Sequence, residues 1–161
     1  MSLSPNLSNH TYSKKELLQE AEALMTGRWI TDLANLAALI FNKYTDLNWA
    51  GFYLASAEEP EVLWLGPFQG PPACTMIPFK KGVCGLAART KQTQLIPDVD
   101  QFPDHIVCDT RSKSELVVPV VKNNELFAVL DLDSASLNRF TQDDVVFFEE
   151  MVRILLSKQN I

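Results

Sequence analysis

The sequence predicts an α+β fold, a mainly antiparallel sheet with helices packed on one face and a loop-roofed pocket on the other. Three observations point there. Residues 13–44 carry apolar side chains at helical spacing. Residues 49–133 break into short runs rich in β-branched and aromatic residues, bounded by Gly, Pro, Asn or Asp. The last twenty or so residues return to helical spacing, so helices flank a block of strands rather than alternating with them. The 161 residues fit one domain, 1–161, with 1–12 as a flexible extension.

Each element has its own signal. "SKKELLQEAEALMTG" opens on Ser13 and Glu16, the S-x-x-E capping box, and Gly27 supplies a stop. "TDLANLAALIFNKY" repeats the helical period through Leu33, Leu36, Ala37, Ile40 and Phe41. Five strands follow: "WAGFYLA", "EVLWLG", "CTMIPF", "ELVVPVV" and "LFAVLDLD". A short helix, Gly82 to Lys91, interrupts them, and a long polar loop, "PDVDQFPDHIVCDTRSKS", precedes the fourth strand; such loops are usually functional or disordered. "KNNE" signals a hairpin turn. The closing helix has Thr141 as N-cap and two aspartates in its first turn.

Composition excludes several classes. Net charge is −6, and neither Lys nor Arg forms a block, which disfavours nucleic-acid and anionic-membrane partners. No run of 18 apolar residues predicts a membrane span. "MSLSPNLSNH" lacks the order of a signal peptide, so a cytoplasmic address is expected. The three cysteines are expected to be free thiols at rest there. Their spacing matches no known zinc module, so neither a metal site nor a cofactor is expected.

Cys108 is the sharpest candidate for chemistry. A reactive cysteine needs a thiolate and access. The loop offers access, and His105 and Arg111 favour the thiolate. Cys84, with glycines on both sides in "GVCGLAA", and Cys74, at the start of the third strand, each read in isolation as packing residues. In "VLDLDS", Asp131 and Asp133 point to one face of a strand. That is either a solvated strand end or a carboxylate pair in which one group stays protonated. Glu115 joins them only if the hairpin is not the simplest one. A plain two-residue turn on Asn123-Asn124 sets Glu115 opposite Leu132, whereas a three-residue turn or a bulge near Pro119 sets it opposite Asp133. Trp49 and Tyr53 share a strand face, either as core aromatics or as a pocket wall with N–H and O–H donors. Trp29 and Trp64 read as packing.

Together "NWAGFYL", "LGPFQG", "GVCGLAA", "HIVCD", the "SE" before a strand, "VLDLDS" and "RFT" resemble the free methionine-(R)-sulfoxide reductases, enzymes built on a GAF domain. The resemblance runs from about Leu24 to the closing helix. It implies a catalytic role for Cys108, a resolving role for Cys84, and disulfide exchange for Cys74. It implies a substrate pocket of Trp49, Tyr53, Glu115, Asp131 and Asp133, with the backbone of Ile106, Val107 and Cys108 receiving the substrate carboxylate. Thioredoxin is the implied reductant and a homodimer the implied assembly. The rival expectations are a GAF-type small-molecule sensor without catalysis and a zinc-bearing structural domain.

Overall fold

The computed structural model describes residues 12–103 and 110–160. Among these, two helices open the chain, α1 (Lys14–Leu24) and α2 (Trp29–Lys43). The strands are β1 (Trp49–Ala55), β2 (Val62–Gln69), β3 (Met76–Pro78), β4 (Gln94–Ile96), β5 (Ser114–Lys122) and β6 (Glu125–Ser134). Helix α3 (Gly82–Thr90) lies between β3 and β4, and α4 (Gln142–Lys158) closes the fold. The strands form one antiparallel sheet in the order β3-β2-β1-β6-β5-β4. No helix among the described residues is long and apolar enough to cross a membrane.

Helix ends follow their caps. Glu16 N–H donates to Ser13 Oγ at 3.2 Å, and Ser13 N–H donates to Glu16 Oε2 at 2.8 Å, completing the reciprocal box. Thr141 N–H donates to Asp144 Oδ2 at 2.9 Å at the start of α4. Helix α2 begins two residues earlier than its apolar period suggested, at Trp29, because Arg28 takes the extended N-cap conformation.

The sheet divides two cores by simple alternation. On one face Ala50, Phe52, Leu116, Val118, Leu130 and Leu132 pack under α1, α2 and α4. On the other, Trp49, Tyr53, Val117 and Val129 pack against Val83, Cys84, Ala87 and Ala88 of α3. The short helix is thus the exception to helices on one face. Gly85 lets α3 approach closely: a Cβ there would sit 2.6 Å from Pro78 O.

Two elements are absent from the sequence patterning, β4 just ahead of the long polar loop and a turn within it. β4 is three residues long and pairs only with β5. A 3-10 turn over Val99–Gln101 is capped by Asp98, whose Oδ1 accepts from Asp100 N–H at 3.0 Å. Both are too short to show a period.

Candidate active site

The β5–β6 hairpin decides which side chains meet. Its turn is a two-residue one, with Asn123 and Asn124 both left-handed (φ 53° and 65°) and Lys122 paired with Glu125. A bulge at Phe127 of β6, opposite the Val120–Val121 step, then shifts the register by one residue. From there on Glu115 pairs with Asp133, and Val117 with Asp131. On the other side of β6, Trp49 pairs with Asp133 and Gly51 with Asp131. Directly paired residues share a face, so Glu115, Asp131, Asp133, Trp49 and Tyr53 form one wall. The bulge, across from a step one residue beyond Pro119, is the irregularity that the joint use of the three carboxylates required.

The aromatic part of the wall depends on Gly51. A Cβ at Gly51 would lie 2.3 Å from Phe68 Cβ and 2.7 Å from the Trp49 ring. Without one, Trp49 stacks on Phe68 (5.3 Å between centroids, 12° between planes) and on Tyr53 (5.8 Å, 23°). Trp49 Nε1–H donates to Pro71 O at 3.1 Å, and Tyr53 Oη–H donates to Cys74 O at 3.0 Å. The two polar handles therefore hold the Pro71–Cys74 segment. Gly51 and Phe68 were not singled out in the sequence, though alternation along "NWAGFY" puts Gly51 on the face of Trp49 and Tyr53.

α3 lowers a third kind of group onto this wall. Cys84 is a free thiol, 3% exposed, with Sγ 3.9 Å from Glu115 Oε1. Glu115 and Asp131 are each 6% exposed, and one ligand atom from each of Cys84, Glu115 and Asp131 lies within 4.8 Å of the others. Asp131 Oδ1 is buried with no hydrogen-bond partner. Asp133 is half-buried at the outer end of the row.

The electrostatics follow from this crowding. Burial, reinforced by Asp131 and Asp133, pushes the Glu115 carboxyl well above the ordinary range. Burial raises Asp131 to about 6, opposed only in part by interactions with Cys84 and Glu115. Burial and the three carboxylates push the Cys84 thiol well up. The crowding thus favours the neutral thiol at Cys84 and the protonated form of the buried carboxyls.

Cys74 is half-buried beside the wall, tied to it through Tyr53, and is disulfide-bonded. Cys108, Ile106 and Val107 lie outside the described residues. The feet of their loop are anchored next to the carboxylates. Val99 N–H donates to Lys113 O at 2.9 Å, Lys113 N–H to Ser134 O at 2.7 Å, and Asn48 Nδ2 to Ser112 Oγ at 3.0 Å. A separate groove of about 630 Å³ runs between α4 and the β4–β5 edge, and its lining has no cysteine.

Residues 30–156 match the GAF domain family. The free methionine-R-sulfoxide reductase of Saccharomyces cerevisiae is 44% identical over 148 residues, covering 88% of this chain and 82% of that protein. The Escherichia coli enzyme of the same name is 44% identical over 146 residues, covering 89% of this chain and 87% of its own. The chain belongs to the free methionine-R-sulfoxide reductase family. The crystal structure of the Neisseria meningitidis family member in complex with its substrate superposes with a TM-score of 0.87 at 38% identity, covering 98% of this chain and 94% of that one. Family membership bears out both the oxidoreductase class and the GAF-type α+β fold.

Proposed function

We propose that this wall binds free L-methionine-(R)-sulfoxide and reduces it to methionine, with Cys108 as nucleophile. The observation that carries the reading is the row of Glu115, Asp131 and Asp133 on one face, two of them buried. Such a row suits a ligand with an ammonium group. A peptide-bound methionine sulfoxide offers an amide there and gains nothing from the charge. The backbone of Ile106 to Cys108 receives the substrate carboxylate, and Trp49 and Tyr53 form the apolar side of the pocket.

The chemistry closes in two thiol steps. The Cys108 thiolate attacks the sulfoxide sulfur while a carboxyl of the wall protonates the oxygen. Collapse transfers that oxygen to Cys108 as a sulfenic acid and releases methionine. A second thiol then condenses with the sulfenic acid, giving a disulfide and water, and thioredoxin reduces the disulfide.

Cys74 suits the second thiol better than Cys84, to which the resemblance gave that role. Cys74 is the half-buried cysteine and already disulfide-bonded. Cys84 is sealed under α3 among carboxyls that oppose its thiolate. The thiol cycle needs a reducing compartment, which favours the cytoplasm. The single domain over 1–161 and the homodimer are part of the same proposal.

The test is NADPH consumption with thioredoxin and thioredoxin reductase, offering the separate R and S epimers of free methionine sulfoxide. Turnover of the R epimer alone, abolished in Cys108→Ser, is expected. Cys74→Ser is expected to release about one methionine per protein and then stop. If Cys84→Ser stops that way while Cys74→Ser turns over, Cys84 is the resolving thiol. Failure of the wild type on both epimers refutes the reading in favour of a sensor.

A further inference from the structure

The cluster of Cys84, Glu115 and Asp131 has a property that sulfoxide reduction does not require. Three potential anionic ligands converge from three elements, α3, β5 and β6, with their ligand atoms within 4.8 Å of one another. Asp131, 6% exposed, points Oδ1 into buried space with no hydrogen-bond partner. An unpartnered buried oxygen costs free energy that a ligand recovers. We propose that Cys84, Glu115 and Asp131 form a binding site for a thiophilic divalent cation of the zinc class.

The chemistry selects the ion. A thiolate with two carboxylate oxygens suits zinc or cobalt(II) and discriminates against magnesium and calcium, which take oxygen ligands only. Metal–ligand distances of about 2.0–2.3 Å place tetrahedral ligand atoms roughly 3.6 Å apart, so the cluster closes by about 1 Å on binding. The three protein ligands leave a fourth position for water. Thiolate and carboxylate ligands bind metal in their deprotonated forms, so uptake of metal releases protons and strengthens with pH. The free Cys84 thiol makes the site available whether or not Cys74 is in a disulfide.

The site shares Glu115 and Asp131 with the proposed substrate pocket. The expectation that metal and substrate compete therefore rests on that reading, while metal binding itself does not. The experiment is an anaerobic titration of the full chain with cobalt(II), followed by the near-ultraviolet sulfur-to-cobalt charge-transfer band. A band saturating at one equivalent is expected. It should persist in Cys74→Ser and Cys108→Ser and vanish in Cys84→Ser. Asp131→Asn should raise the cobalt Kd at least about tenfold, since loss of even outer-shell partners costs that much. No stoichiometric band in the wild type, or a band that survives Cys84→Ser, overturns the proposal; the wild-type result stands even if a variant fails to fold. Cobalt that binds but is not displaced by methionine sulfoxide leaves the metal site intact and refutes its overlap with the substrate.

Discussion

Two pairs of buried acids sit on opposite sides of this sheet, and the fold treats them in opposite ways. On the helix side Asp32 is fully buried and saturated. It accepts from Thr26 N–H (2.8 Å), Thr26 Oγ1 (2.7 Å), Gly27 N–H (2.9 Å) and Gln159 Nε2 (2.6 Å). Asp144 is buried and accepts from Lys14, Tyr44 and Thr141. Burial pushes both carboxyls up, but these donors win and hold both below the ordinary carboxylate range. On the pocket side burial wins, and Glu115 and Asp131 are held above it. The difference lies in the donors, not in burial. Where an acid ties elements together, the chain surrounds it with N–H and O–H groups. In the pocket, the donors that reach Asp131 offset burial only in part.

The largest effect should come from removing a pocket acid. Glu115→Gln or Asp131→Asn is expected to lower kcat/KM about 10²- to 10⁴-fold, the range of general acid catalysis. Steady-state kinetics with the free R epimer check it. A loss under threefold in both variants would place the proton donor elsewhere.

Next comes Asp32→Ala, which strands four donors. It is expected to destabilise the fold by about 3–5 kcal/mol in urea melts, while activity per folded molecule stays near that of the wild type. Equal damage to activity at full folding would break the comparison.

A smaller effect has the opposite sign. Asp131 binds its proton more tightly folded than unfolded, so it costs stability above its folded value of about 6. That cost disappears below the unfolded value near pH 4. Asp131→Asn is therefore expected to melt a few degrees above the wild type at pH 8, with the gap closing as pH falls from 6 to 4. Asp32 and Asp144 run the other way: their contribution is complete above the unfolded value and is lost as pH falls through the folded one. The smallest effect belongs to Arg153→Ala, which breaks an exposed pair with Glu150 and should leave the urea midpoint unchanged within error.

Much of this contrast is legible in the sequence. Alternation puts Trp49 and Tyr53 on one face of their strand and Asp131 and Asp133 on one face of theirs, the β1–β6 register joins the two pairs, and the capping signals at Ser13 and Thr141 fix the starts of α1 and α4. The position of Glu115 is legible only as a condition on the hairpin, because register depends on an irregularity that no residue pattern announces. The placement of α3 on the pocket face, and hence the burial of Cys84, is tertiary: "GVCG" permits close approach without saying to what. The donors of Trp49 and Tyr53 bind backbone carbonyls of a distant loop, which leave no trace in side-chain identity.

The extra residue, Phe127 of β6 opposite the Val120–Val121 step, works at a distance. It faces the far end of β5 from Glu115, yet it sets which of Glu115 and Leu116 lies opposite Asp133. Deleting a single residue anywhere in the hairpin would exchange the two rows, burying an acid beneath α4 and presenting leucine to the ligand. The hairpin is therefore fixed in length, and its two left-handed turn residues restrict its composition as well.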